Sequence, residues 1–125
     1  MSRSAKAGLS RRQRLLSPLL FREAFNSGRR WPRRTLVLWL RPAPDAPGRL
    51  GVVAAKKTFR LAVERNRAKR LLREAFRLNR HLLKPGVDVV LLARRQILHV
   101  KCQDVAADLI AAWRAAGVLA SGDAQ

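Results

Sequence analysis

The chain has 125 residues, and 27 lysine plus arginine residues against 8 aspartate plus glutamate residues give a formal net charge of +19. Its length suits one ordinary domain with a single modest core. The cationic side chains of such a chain repel one another in a compact fold, so the charge predicts a polyanionic partner. Because 48% of the residues are hydrophobic, the chain has apolar surface to bury and is not a disordered basic tail.

Apolar runs in the chain are too short to cross a membrane. All fall well below the roughly 20 residues that span a bilayer, and no apolar signal core follows the basic N-terminus. We therefore predict a cytoplasmic protein with no membrane contact. Cys102 is the only cysteine, which excludes an intramolecular disulfide and a cysteine-rich zinc site.

The N-terminal part of the chain divides into an arm and a helix. Residues 1–14 carry many cations and almost no apolar pattern, so we expect a flexible basic arm. A first helix is predicted in "SPLLFREAFNSG". There Ser17 suits the N-cap, Pro18 the first helical position and Gly28 the residue after the helix end.

Two strands are predicted next. "TLVLWLR" alternates, which places Thr35, Val37 and Trp39 on one face and three leucines on the other. Both faces are apolar, so we expect both to be covered. The proline-rich "PAPDAPG" ends this strand, and "RLGVVAAK" predicts a second strand paired antiparallel with the first.

The second half of the chain predicts a helix, a strand and a helix. From Leu61 the apolar residues recur at intervals of three and four, which indicates a long helix on a core, ended by "KPG". "VDVVLLAR" is typical of a buried central strand. "QDVAADLIAAWRAAG" predicts a last amphipathic helix with Asp104 and Asp108 on its solvated face. We expect residues 118–125 to fray.

The predicted elements form one domain over residues 15–117. Their order is α-β-β-α-β-α, with room for one extra short strand. A sheet covered by helices is the natural packing, so the predicted fold class is a single-domain α+β sandwich.

The predicted long helix carries a cationic face. Arginine and lysine form charge-assisted hydrogen bonds to phosphate oxygens, so cations in successive turns match a line of phosphates. A merely solvated face usually mixes both signs, whereas this one has Glu74 almost alone among cations, which favours nucleic acid. Asn66 could cap the helix, bond to a base edge or brace the neighbouring backbone. The cations on this arc are Arg65, Lys69, Arg70, Arg73, Arg77 and Arg80.

Aromatic residues and a lysine pair are further candidates. Exposed rings hold unstacked bases at about 1–3 kcal/mol each, but the apolar neighbours of Phe21 and Phe25 favour core packing on pattern alone. Lys56 and Lys57 fit phosphate binding near a helix N-terminus or protection of a strand edge equally well. Histidines, the cysteine and carboxylates form no local cluster, so we predict no catalytic and no metal site in the polypeptide.

The basic helix also carries a family resemblance. "ERNRAKRLLREAFRLN", following "LGVVAAKK", closely resembles the protein subunit of bacterial ribonuclease P, and the likeness extends to "RLLSPLLFREAFNSG" and "GVDVVLLARR". The resemblance implies a ribonucleoprotein that removes the 5′ leader from precursor tRNA, in which a large RNA subunit and its Mg²⁺ ions do the chemistry. It also implies a ribosomal-protein-like fold with a left-handed β-α-β crossover, against the usual right-handed preference.

The same resemblance implies roles for individual residues. The RNA subunit would dock on Arg65, Asn66, Arg67, Lys69, Arg70 and Arg73, with Lys56 and Lys57 matching the family's lysine pair. The single-stranded leader would lie on Phe21, Phe25, Val37 and Trp39.

The sequence departs from the family pattern in one loop and at Trp39. Many members have Ser-Lys-Lys and a Gly-Asn loop where this chain has Ala55-Lys56-Lys57 and then Thr58-Phe59-Arg60, and many have tyrosine at Trp39. Composition alone supports a ribosomal or RNA-chaperone-type structural RNA-binding protein equally well. Only a leader-binding protein should prefer precursor tRNA over mature tRNA. No obligate protein partner is expected.

Overall fold

A computed structural model describes residues 22, 24–26, 29–44 and 48–120. Within these residues, four strands form one sheet: β1 (Trp31–Pro32), β2 (Leu36–Pro42), β3 (Leu50–Val53) and β4 (Val87–Ala93). The long helices are α1 (Ala62–Asn79) and α2 (Cys102–Ala116), and 3₁₀ helices cover Arg80–Leu82 and Arg95–His99. Arg22 and residues 24–26 are helical, as predicted for the first helix. The predicted basic arm, residues 1–14, lies outside the described residues.

The strand order in the sheet is β1-β2-β4-β3. β4 pairs antiparallel with β2 and parallel with β3, so the predicted antiparallel pair of the two earlier strands is wrong. The reason is the continuous apolar run of β4, which is best buried with a strand on each side and cover on both faces. β1 is the extra short strand for which the pattern left room, and it pairs with β2.

Helix α1 joins two parallel neighbours. β3 and β4 lie side by side, and α1 connects the end of one to the start of the other. The α+β sandwich is thus confirmed as a strand-helix-strand unit completed by β2 and α2. The left-handedness of the crossover stays a prediction.

One face of the sheet forms the main core beneath α1 and α2. Leu38 and Leu91 of the sheet and Leu72 of α1 have no exposed surface. The rings of Phe76 and Trp113 join the two helices edge to face, with centroids 5.9 Å apart. The apolar stripe of α1 predicted that this helix packs on a core, and its buried side chains confirm it. Among the described helices, none is long and apolar enough to cross a membrane.

The other face of the sheet packs against the N-terminal helical residues. Ala24 and Val90 are fully buried against each other, and Trp39 and Val53 pack around them. β2 is therefore covered on both faces, as its two-sided apolar alternation predicted.

The chain after α2 is held against the segment after α1. Gly117 turns out of the helix with φ 76°, a left-handed conformation that favours glycine. Val118 is then buried, Leu119 bridges Leu83, and the amide N of Lys84 donates to the carbonyl of Val118 over 2.8 Å. The predicted frayed tail is wrong for residues 118–120, while residues 121–125 lie outside the described residues.

Asp108 ties α2 to the start of β2. Its carboxylate accepts hydrogen bonds from the backbone N–H of Thr35, over 3.0 Å, and from the Thr35 hydroxyl. Thr35 is fully buried. The placement of Asp108 on a solvated face was wrong, because a buried Thr35 needs an acceptor that the neighbouring strands do not supply. Asp104 instead accepts the amide N–H of Lys101 and caps the start of α2.

We expect Asp108→Ala to lower the free energy of unfolding by about 1–3 kcal/mol, because it leaves the buried Thr35 groups without their acceptor. Urea denaturation against Gln103→Ala, an exposed position on the same helix, measures the difference. Equal midpoints for the two variants would show that this hydrogen-bonded contact does not stabilise the fold.

Candidate nucleic-acid interface

Helix α1 presents its cations away from the core. Ala68, Leu72, Ala75 and Phe76 are buried against the sheet and α2. At roughly 100° per residue, the positions between them face solvent. The predicted docking residues that are exposed are Asn66, Arg67, Arg70 and Arg73, whereas Arg65 and Lys69 are half-buried.

Arg65 has a structural contact that the sequence did not reveal. Its Nη1 donates to the carbonyls of Phe59, over 2.9 Å, and Arg60, over 3.1 Å. Phe59 is fully buried, and Arg95 Nη1 donates to the carbonyl of Thr58 over 2.9 Å. Arg65 therefore fixes the loop before α1 as well as lying beside the exposed cations.

The lysine pair lies in this anchored loop. Lys56 and Lys57 are exposed in a turn after β3, closed by the amides of Thr58 and Phe59, which both donate to the carbonyl of Ala55. The turn places two more cations close to the start of α1. The loop departs in sequence from that of many family members, yet it forms an ordered turn that the buried Phe59 anchors.

Asn66 does not cap the helix. α1 begins at Ala62, its N-cap is Leu61, and Asn66 lies exposed in the second turn. The capping interpretation is therefore wrong. Contact with a nucleic acid and bracing of the neighbouring backbone remain as predictions.

Glu74, a carboxylate on the outer face of α1, is paired. Arg77 Nε donates to Glu74 Oε1 over 3.1 Å, and Nη2 donates to the second oxygen. These hydrogen bonds hold the pKa of Glu74 below its ordinary value, outweighing the opposite effect of partial burial. The same pair raises the pKa of Arg77.

An open groove of about 520 Å³ borders the basic face where α1 meets the start of α2. Arg67, Arg70 and Lys101 line it together with Glu74 and Cys102, so it extends the cationic surface toward α2. Burial, and then the charge of Glu74, raises the pKa of the Cys102 thiol, which keeps it protonated and weakly nucleophilic at neutral pH. Within the described part of the chain, no three His, Cys, Asp or Glu side chains are grouped to hold a metal ion.

The aromatic candidates lie on the opposite side of the sheet from α1. The rings of Phe25 and Trp39 meet edge to face, with centroids 4.8 Å apart and an interplanar angle of 83°. Phe25 is 38% exposed, Trp39 is half-buried, and Val37 is buried. The structure thus brings Phe25 and Trp39 together and places Val37 in the floor beside them, while Phe21 lies outside the described residues.

A charged cluster that the sequence did not predict lies at one end of the sheet face that carries Trp39. Asp88 is fully buried, and its oxygens accept hydrogen bonds from Arg41 Nη1 over 3.1 Å and from Arg49 Nη2 over 2.9 Å. The signal was present in the sequence. Asp88 is the one carboxylate in an otherwise apolar strand, and a buried carboxylate requires cationic or hydrogen-bonding partners.

The Glu74–Arg77 pair predicts a pH dependence of stability. Because the pKa of Glu74 is lower in the folded chain than its ordinary value of 4.5, the pair stabilises the fold at neutral pH. That contribution is lost as the pH falls through the folded-state pKa. In a double-mutant cycle with Glu74→Gln and Arg77→Gln, we expect a small favourable coupling at pH 7 that decreases as the pH is lowered below 4.5. Urea denaturation across this pH range measures it, and a coupling that does not change with pH would contradict the ion pair.

Known proteins match this chain over most of its length. The family model described as Ribonuclease P matches residues 9–117. The ribonuclease P protein component of Pseudomonas putida is 47% identical over 88 residues, 69% of this chain and 65% of the relative, so the match spans slightly less than two thirds of that relative. The component from Ectopseudomonas mendocina is 38% identical over 86% of this chain and 80% of its own.

A solved structure gives the same result. The ribonuclease P protein from Thermotoga maritima is similar at a TM-score of 0.69 and 29% identity, over 80% of this chain and 94% of that one. By the family model, its curated relatives and its fold, this chain belongs to the ribonuclease P protein family.

Proposed function

We propose that this chain is the protein subunit of ribonuclease P, which removes the 5′ leader from precursor tRNA. The observation that carries the proposal is the outer face of α1. Its cations are exposed, and its carboxylate, Glu74, is already paired with Arg77. Such a surface neutralises phosphates. Membership of the ribonuclease P protein family indicates that these phosphates belong to the RNA subunit of ribonuclease P. The chain would act as an accessory subunit and not as a nuclease by itself.

The basic face of α1 would dock on the RNA subunit. Asn66, Arg67, Arg70 and Arg73 point outward on successive turns, and Lys69 lies at their margin. The anchored turn with Lys56 and Lys57 extends this surface at the helix start. Arg65 would contribute by fixing that turn through Phe59 and Arg60 and by adding charge beside it.

The face with Phe25 and Trp39 would hold the single-stranded leader. An exposed aromatic edge against a tryptophan gives a surface on which bases stack without sequence preference. Because α1 and this face lie on opposite sides of one sheet, the protein can contact the RNA subunit and the leader at once. Tryptophan in place of the family's frequent tyrosine keeps the stacking area and loses only a hydroxyl.

Cleavage in this proposal belongs to the RNA subunit and the Mg²⁺ ions that it binds. The protein adds cations near the substrate and so reduces the phosphate repulsion that Mg²⁺ would otherwise screen. Its contribution is binding energy for the leader-bearing substrate. A ribosomal or RNA-chaperone role is the alternative, and it predicts no discrimination between precursor and mature tRNA.

Docking through α1 is tested by Arg70→Gln with Arg73→Gln. If each arginine neutralises one phosphate, the double variant should bind the RNA subunit more weakly, and the slope of log affinity against log salt should become shallower by about 1.8. Arg114→Gln, an exposed position on α2, is the matched control and should retain the wild-type slope. Equal slopes for all three proteins would exclude α1 as the docking face.

The leader contact is tested by Trp39→Ala. We expect it to reduce the preference for precursor over mature tRNA by about 1–3 kcal/mol, the value of one lost stacking contact, while affinity for the RNA subunit stays unchanged. Trp39→Phe keeps a ring and should retain much of the preference. Thermal melts verify folding. A preference that survives Trp39→Ala in a folded protein would contradict the leader assignment.

A further inference from the structure

The sheet face with Trp39 has three rows of side chains, as its strand register shows. Trp39 of β2 lies opposite Val90 of β4, which lies beside Gly51 of β3. On one side of this row lies an apolar row of Val37, Leu92 and Val53. On the other side, Arg41 lies opposite Asp88, and Arg49, the residue before β3, donates its backbone N–H to Asp88. The apolar floor therefore ends in a row that contains two arginines and one aspartate.

Asp88 holds both arginines in place. Its Oδ1 accepts the backbone N–H of Arg49 over 2.9 Å and Arg49 Nε over 3.2 Å. Its Oδ2 accepts Arg49 Nη2 over 2.9 Å and Arg41 Nη1 over 3.1 Å. These four hydrogen bonds use the roughly four acceptor positions of a carboxylate. Among the described side chains of this row, two guanidiniums meet one carboxylate.

The arginines are partly open to solvent although Asp88 is not. The side chains of Arg41 and Arg49 are 23% and 26% exposed, against 0% for Asp88. Arg49 Nη1 makes no hydrogen bond to any other described residue. A guanidinium whose direction is fixed on one edge and whose other edge reaches solvent is prearranged to bind an anion, because little rotamer freedom remains to be lost.

The spacing from the aromatic contact suits the backbone of a stacked strand. Arg41 follows Trp39 by two residues on the same face of β2, a distance of about 6.6 Å along the strand. A nucleotide stacked on the Phe25–Trp39 surface would thus have its neighbouring phosphate near this end of the sheet. Charge-assisted hydrogen bonds from arginine to phosphate are among the stronger polar contacts.

We propose that Arg41 and Arg49, positioned by Asp88, bind a backbone phosphate of the single-stranded RNA that stacks on Phe25 and Trp39. The inference rests on the proposed function, because the RNA strand is the leader. It adds a phosphate-binding row to the stacking surface, with Asp88 as the positioning residue. The row fixes the direction in which the leader leaves the aromatic contact.

The experiment measures binding of precursor tRNAs with leaders of increasing length to the assembled ribonucleoprotein. Arg49→Gln should weaken binding on the order of tenfold for leaders long enough to pass Trp39. It should leave mature tRNA and the shortest leader unaffected. The salt dependence for the long leader should become shallower by about 0.7, the value of one phosphate of a single strand.

Three further variants separate this role from a structural one. Arg49→Lys keeps the charge and should retain part of the affinity. Arg41→Gln leaves the Arg49–Asp88 pair intact and should show the same leader-length dependence as Arg49→Gln. Arg114→Gln on α2 is the charge-matched control and should behave as wild type at every leader length. Thermal melts and affinity for the RNA subunit verify that each variant is folded.

The outcomes distinguish this inference from the proposed function. If wild type prefers long leaders and Arg49→Gln and Arg41→Gln match Arg114→Gln at every length, the phosphate-binding row is wrong and the proposed function stands. If Arg49→Gln weakens mature and precursor tRNA equally, the cluster only supports the fold and the inference is again wrong. If wild type shows no leader preference, the leader contact itself fails, and this inference fails with it.

Discussion

The two-sided burial of β4 is the constraint on which the rest of the structure depends. Val89 and Leu91 face the core beneath α1 and α2, while Val90 faces Ala24 on the other side, and all are fully buried. A central strand that is apolar on both faces needs cover on both, so the helices cannot all lie on one side of the sheet. The consequence is functional, because the basic helix and the aromatic face become separate surfaces.

Each of the two surfaces depends on a buried anchor. Phe59 is buried and, with Arg65, holds the lysine turn beside α1. Asp88 is buried and holds Arg41 and Arg49 at the end of the aromatic face. In both cases a residue with no exposed surface determines where cations lie, which would lower the entropy lost on binding a phosphate in the proposed function. The two buried residues thus give part of the high net charge a defined arrangement on the surface.

The elements themselves were predictable from local pattern, whereas their pairing was not. The periods of two and of three to four residues predicted β2, β3, β4, α1 and α2 close to their observed bounds. The sheet order depends on contacts between distant residues, so pairing consecutive strands failed. In the candidate site, the cationic face of α1 followed from spacing, whereas the grouping of Phe25 with Trp39 followed only from the family resemblance, since the spacing favoured core packing for Phe25. The contacts of Arg65 with the loop carbonyls, and of Asp108 with Thr35, link segments whose proximity no periodicity reveals.

The central claim is that this polypeptide assists a catalytic RNA by binding, and one measurement tests it most directly. A leader-bearing precursor tRNA is incubated at low Mg²⁺ with its cognate ribonuclease P RNA, with and without this protein, and with the protein alone. The account predicts cleavage at the leader junction only when both RNA subunit and protein are present, and none by the protein alone. Tight RNA binding that leaves cleavage unchanged would contradict it and favour a structural RNA-binding role.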